Sequence, residues 1–157
     1  MIDNNDIFIF DSLIDYNLLL SIYKENKHLS KNYNDARKNS YFNNWKIVKF
    51  NFDYADEIIQ KFKLEKYDVR PRFYELDANT TLKEHIDFNT QCSLNFVLND
   101  NASPVIINNN IYYYKNCLLN TTQKHSVVNN DIERIIFKLS IMDCSFKLVK
   151  KKIKNIL

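Results

Sequence analysis

Glycine is absent from all 157 residues, and proline occurs twice. A chain without glycine must build its positive-φ turns from another residue, and asparagine is the next most tolerant of that region. Twenty-three asparagines are present, with clusters in NDNAS (99–103), NNN (108–110) and VVNND (127–131). These clusters are expected to do the turn work. Long apolar runs are also missing. IFIF (7–10) and NLLLSIY (17–23) are the longest, far too short to span a bilayer. The N-terminus carries acids where a signal peptide needs a basic segment, which argues against one. Cys92, Cys117 and Cys144 are odd in number, widely spaced and form no CxxC pair. Reduced thiols in a cytoplasm, as small core residues, fit better than disulfides or a zinc knuckle.

What is present is the composition of one soluble globular domain. The length allows a sizeable core, and 45% hydrophobic with 26% charged residues excludes a disordered chain. A net charge of +3 is small, and much of the lysine sits in the tail KLVKKKIKNIL (147–157). Nucleic acid is therefore not the expected partner, since its footprint is a denser basic face. The tail reads as a solvated edge strand or a terminal helix. The Asn and Lys bias suits an AT-rich genome, such as that of a virus or a streamlined bacterium.

Along the chain, IFIF reads as a strand and Asp11 as the cap of a first helix. In that helix Leu13, Ile14, Leu18, Leu19 and Ile22 recur at helical spacing up to Lys24. Residues 25–44 are polar and read as a long surface loop, a lid or a rim. WKIVKFNF (45–52) alternates like a strand, and Asp53 is the expected cap of a second helix with Ala55, Ile58, Ile59 and Phe62 as its core stripe. From Tyr67 the texture changes to eight short strands: VRPRFYEL, LKEHIDF, CSLNFVL, PVIIN, IYYYK, CLLN, KHSVV and RIIFKLSI. That pattern argues for an all-β barrel or sandwich with the helices packed outside. No linker divides the chain, so residues 1–157 read as one domain, with a barrel core at about 67–141 and helical support at 11–64.

Within LKEHIDF, His85 and Asp87 are two apart, so on a strand they aim at one point. By itself the pair is what an Asp-rich chain produces by chance. Imidazole plus carboxylate suits Fe(II), Mn(II) or Zn(II), with a third ligand from another strand. His28 lies in the polar loop, where a solvated histidine is expected. His125 lies in a later extended run. Two His and one carboxylate on an octahedral ion leave three adjacent positions for a bidentate cosubstrate and O₂. Arg134 follows His125 by nine residues and breaks an apolar run. It is one of four arginines, and a buried guanidinium requires an anion.

EHID, CSLNFVL and KHSVVNNDIERIIFKLSI together resemble the Fe(II)/2-oxoglutarate-dependent oxygenases. Among these they look closest to the aspartyl/asparaginyl β-hydroxylase-like and prolyl-hydroxylase-like branches, found often in phages and bacteria. The resemblance covers about residues 70–141, and IFIFDSLIDYNLLLSIY is similar to the opening strand and helix of such proteins. It implies a double-stranded β-helix (jelly-roll) barrel. His85, Asp87 and His125 would be the iron ligands, and Arg134 would bind the distal carboxylate of 2-oxoglutarate. The implied reaction is hydroxylation of a substrate with O₂ while 2-oxoglutarate is decarboxylated to succinate. Alternation adds Asn95, opposite in facing to Cys92, Leu94, Phe96 and Leu98, as a second contact to 2-oxoglutarate. Arg72 and Tyr74 share a face on the strand VRPRFYEL and are candidates to contact either the cosubstrate or the substrate. Tyr113 or a neighbour is a candidate for a rim.

Two departures bear on the carry-over. The family's glycine before the HxD strand is replaced by DANTT, so that turn must rest on Asn79 or Asp77. The best-known aspartyl hydroxylases lack the carboxylate ligand, whereas Asp87 is present, pointing to the ordinary three-ligand site. The rival is a cupin-like metal- or ligand-binding jelly roll without catalysis. A zinc hydrolase fits less well, because no glutamate is placed as general base. The expected partner is a peptidyl or free amino acid or another small molecule, chosen by rim loops 25–44 and 99–104. The expected location is cytoplasmic, in the host if the protein is viral.

Overall fold

The computed structural model describes residues 1–11, 14–32 and 45–157. Leu13 and the greater part of the expected 25–44 loop lie outside them. The first part of the chain forms β1 (Ile2–Asp3), β2 (Ile7–Ile9), α1 (Tyr16–Asn26), β3 (Lys31–Asn32), β4 (Trp45–Val48) and α2 (Asp53–Lys61). Then follow β5 (Val69–Leu76), β6 (Thr81–His85), β7 (Cys92–Val97), β8 (Val105–Ile107), β9 (Asn110–Tyr112), β10 (Asn116–Leu119), β11 (His125–Val128), β12 (Arg134–Ile141) and α3 (Phe146–Ile156). The strands β5 to β12 correspond one for one to the eight expected from the Asn-punctuated half.

These strands are shared between two antiparallel sheets. The major sheet runs β1-β2-β10-β7-β12-β5-β4-β3 and the minor sheet β6-β11-β8-β9. Following the chain, β5, β7, β10 and β12 enter the major sheet while β6, β8, β9 and β11 enter the minor one. Two interleaved sets of four antiparallel strands make a double-stranded β-helix, the jelly-roll barrel.

Strand alternation then separates two apolar clusters across the major sheet. Phe73, Leu94, Phe96, Phe137, Leu139 and Ile141 point to the helices and pack with Leu19, Tyr23, Ile58 and Val149. The other face closes the barrel with Leu76, Cys117 and Leu119 against Leu82, Val105, Ile107 and Val127 of the minor sheet. On that second face, Ser93, Asn95, Lys138 and Ser140 interrupt the apolar pattern. The barrel interior is thus polar on one side, as a cavity requires.

Local chemistry corrects several details. The cap of α1 is Asp15, whose carboxylate accepts from the Leu18 amide at 2.9 Å, so the helix starts later than an Asp11 cap allows. Its buried side is Leu19 and Tyr23, with Leu18 exposed. Tyr23 Oη donates to the buried Glu75 carboxylate and ties α1 to β5. At α2, Asp53 is the first helical residue, after Phe52 in the cap position. The expected loop is helical at residues 25–26, continues through a 3₁₀ turn at Lys27–Leu29, and then forms β3. The lysine-rich tail is the terminal helix α3, capped by Ser145, with Phe146, Val149 and Ile153 buried.

Among the described residues, four of the five at positive φ are asparagines: Asn79, Asn89, Asn108 and Asn109, with Lys63 the fifth. Asn79 therefore carries the turn that a glycine would occupy. NDNAS and VVNND act through their side chains instead. Asn101 Nδ2 donates to Asn129 Oδ1 and to the Ile132 carbonyl, and Asn129 Nδ2 donates to the Asp77 carbonyl. Asparagine amides thereby satisfy carbonyls of the β5–β6 and β11–β12 connections.

Candidate metal centre

The antiparallel register of β6 with β11 places His85 directly opposite His125, next to a bulge in β6. Opposed residues share a face, so both imidazoles enter the barrel, their ring centres 4.4 Å apart. β6 ends at His85, so Asp87 is not on the strand as expected but just beyond it. The chain has to turn there, with Asn89 in the left-handed region. Asp87 is held by its own amide, which donates to the Thr121 carbonyl at 3.2 Å. Thr121 Oγ1 in turn donates to the Thr90 carbonyl at 2.9 Å and closes the turn.

The hydrogen bonds fix the chemistry of the three side chains. His85 Nδ1 contacts the Lys83 carbonyl at 2.7 Å, and His125 Nδ1 contacts the Gln123 carbonyl at 2.9 Å. A carbonyl only accepts, so each Nδ1 carries a proton, which leaves Nε2 as the atom each ring would offer to a metal. Both Nε2 atoms lie 3.3 Å from Asp87 Oδ1. Three acceptors converging on one point repel one another unless a cation sits among them. Ligands about 2.1 Å from an octahedral ion are about 3 Å apart, close to the spacing found. The three ligand atoms all lie within 4.8 Å of one another, so the donor set fits a divalent first-row metal.

Burial alone would raise the Asp87 carboxyl, but the Lys138 ammonium overcomes it and holds the group well below the usual carboxylate range. Lys138 Nζ binds Asp87 Oδ2 at 2.5 Å. The ammonium thus occupies one oxygen and turns the other toward the imidazoles. Lys138→Met is expected to weaken Mn(II) binding about 10–100-fold, the usual effect of losing a partner that orients a ligand. Relief of charge repulsion works the other way, but Lys138 meets Asp87 Oδ2 while both imidazoles meet Oδ1. Calorimetric titration with Mn(II) reads the difference, and an unchanged affinity would remove Lys138 from this role.

The triad lines a cavity of about 320 Å³, together with Asn95, Arg72, Tyr74, Tyr114 and Trp45. Asn95 and Tyr74 thus face the cavity, while Tyr113 is exposed and its neighbour Tyr114 takes the inward place. Asp87 is the one carboxylate among the described lining residues, so none is free to act as a general base. His28 is exposed. Arg134 is not a lining residue. It is 1% exposed, behind Tyr114, with its guanidinium carbon 5.2 Å from that ring centre. Burial pushes the Tyr114 hydroxyl up, and the charge of Arg134 partly offsets this. Arg134 Nη1 donates to Asn101 Oδ1 at 3.1 Å and to the Ser103 carbonyl at 2.5 Å, whereas Nε and Nη2 are buried without a hydrogen-bond partner. Orphaned guanidinium nitrogens next to a polar cavity fit the carboxylate of an organic acid.

Sequence reading does not reach Lys138 or Trp45, and it includes Tyr114 only as a neighbour of Tyr113 at a rim. A signal for Lys138 was available: in RIIFKLSI it shares the face of Arg134, two charges on the side a buried strand keeps apolar.

Fold and site together define a jelly-roll protein with a two-histidine, one-carboxylate constellation inside its barrel. No family model matches the sequence, and no curated protein matches it either. Solved structures do resemble the fold. A prolyl hydroxylase from Trichoplax adhaerens, in complex with a hypoxia-inducible-factor peptide fragment, superposes with a TM-score of 0.65 at 15% identity, over 96% of this chain and 87% of that one. A Pseudomonas putida prolyl-4-hydroxylase also gives 0.65, at 9% identity, over 87% of this chain and 92% of that one. A viral collagen prolyl hydroxylase from Paramecium bursaria Chlorella virus-1, in a 2OG (2-oxoglutarate) complex, gives 0.61 at 12% identity, over 87% and 96%. At such identities the likeness to these prolyl hydroxylases is one of fold alone. No helix among the described residues is long and apolar enough to cross a membrane.

Proposed function

We propose that this protein is an Fe(II)- and 2-oxoglutarate-dependent dioxygenase. It hydroxylates a peptidyl or free amino acid, or another small molecule, and converts 2-oxoglutarate to succinate. The observation that carries this reading is Arg134, buried with two unpartnered nitrogens behind a cavity that holds three converging metal-ligand atoms. A cupin-like binding protein has no use for such a guanidinium, whereas a dicarboxylate cosubstrate supplies its missing anion. The three-ligand set favours the prolyl-hydroxylase-like branch over the aspartyl/asparaginyl one. The reading takes residues 1–157 as one domain, working in a cytoplasm that keeps its buried thiols reduced.

Bound Fe(II) would supply the redox chemistry with O₂. His85 and His125 present Nε2 to it because their Nδ1 protons are engaged with backbone carbonyls. Asp87 presents Oδ1 because Lys138 holds Oδ2. Arg134 and Tyr114 take the distal carboxylate of 2-oxoglutarate, with Asn95 and Tyr74 along its length. Leu82, Leu119 and Val127 exclude water around it. No residue has to serve as a general base.

The test is anaerobic addition of Fe(II) and 2-oxoglutarate, read as the weak visible absorbance of the chelate. A band in the wild type, absent in His125→Ala, supports the proposal. Absence of the band from the wild type overturns it. Admission of O₂ should then release succinate through uncoupled turnover.

A further inference from the structure

Resting on that reading for the identity of the cavity, we infer that the substrate carries a carboxylate or similarly compact anion, gripped by Arg72 near the cavity mouth. Burial along β5 gives the direction of the mouth. Arg70 is exposed, Arg72 half-buried, and Tyr74 and Leu76 buried. The ladder pairs Arg72 with Lys138 and Leu76 with Arg134. Four residues of strand, about 13 Å at about 3.3 Å each, thus separate the row of Arg72 from that of Arg134. Two arginines that far apart serve two different anions.

The other cations of the mouth are already engaged. Lys138 holds Asp87, and Arg70 holds Asp68 through two bonds at 3.2 and 3.0 Å. Arg72 lines the cavity with no hydrogen bond or ion pair among the described residues. The surrounding field is positive. Lys49, directly after β4, is held below its usual range by burial first, then by Arg72, Arg70 and Lys31. A half-buried guanidinium in that field gains most from an arriving anion. A neutral prolyl group would leave it unsatisfied. Ile86 and Phe88, 45% and 63% exposed, also line the cavity. They suit an aliphatic or aromatic body attached to the charged group.

Trp45 is the sole tryptophan, lines the same cavity and meets Tyr74 edge-on at 5.1 Å, so its fluorescence reports occupancy. Protein loaded with Zn(II) and 2-oxoglutarate is titrated with acetate and benzoate, and with acetamide and benzamide as uncharged counterparts. The acids are expected to change Trp45 emission saturably and to bind at least tenfold tighter than the amides. Arg72→Gln should bring the acids down to the affinity of the amides and leave 2-oxoglutarate binding within twofold, and Arg72→Lys should recover part of the loss. Equal binding of acids and amides overturns the proposal, as does an unaffected Arg72→Gln variant. A tenfold loss of 2-oxoglutarate affinity in that variant also overturns it, by assigning Arg72 to the cosubstrate. A wild type that cannot be loaded rejects the dioxygenase reading instead, and the same titrations on unloaded protein still decide whether Arg72 holds an anion. Adding a capped aspartyl dipeptide distinguishes an acidic peptide from a free acid as the source of the carboxylate.

Discussion

His125→Ala loses tight binding of divalent metal and, with it, release of succinate from 2-oxoglutarate. The imidazole supplies one of the three acceptors that meet 3.3 Å apart around Asp87 Oδ1. Without it, an octahedral ion must draw four of its six positions from water or cosubstrate. The drop should therefore exceed the about 10–100-fold expected when only an orienting partner is changed. The fold survives the substitution, because Asp87 keeps Lys138 and is not left as an unpaired buried charge. Mn(II) calorimetry alongside far-ultraviolet circular dichroism separates the two effects. A folded variant with wild-type affinity would take His125 out of the metal site.

The second large effect is expected at Arg134. With metal present, 2-oxoglutarate at a hundred times its dissociation constant stabilises the wild type by about 2.7 kcal/mol. For a chain of this size that is a rise of roughly 5–10 °C in melting temperature. Arg134→Met removes the guanidinium that would meet the distal carboxylate, and the rise disappears. The unliganded protein changes less, because two terms oppose each other. The variant loses donors to Asn101 Oδ1 and the Ser103 carbonyl, but it also sheds a buried cation with two unpartnered nitrogens. Asn101 stays anchored through Asn129 and the Ile132 carbonyl. Melting curves with and without 2-oxoglutarate measure this directly. An intact ligand-induced rise in the variant would assign the cosubstrate carboxylate to another residue.

Much of the architecture is legible locally. Eight strands can be read from Tyr67 onward because period-2 alternation and asparagine turns are properties of neighbouring residues. The asparagine substitution for glycine is equally local, since φ is set within one residue and Asn79 and Asn108 tolerate what a β-branched residue would not. Capping is less legible. Asp11, Asp15 and Asp53 are all chemically able to cap, and packing of Leu19, Tyr23 and Ile58 selects the helix starts. The lysine-rich tail likewise allowed a strand or a helix until the core offered a place for Phe146, Val149 and Ile153.

Sequence alone determined the strand content, the turn chemistry and the residue types able to hold a metal, because these depend on backbone preferences and side-chain chemistry over a few residues. Tertiary structure decided which strands share a sheet, and so which distant side chains meet. The β6–β11 register sets His85 against His125, the turn at Asn89 brings Asp87 to both, and the β5–β12 register sets Arg72 beside Lys138 and away from Arg134. Such pairings span tens of residues and are fixed by how two apolar faces close on each other. For that reason the pairing of Lys138 with Asp87 and of Tyr114 with Arg134 is visible only in the folded barrel.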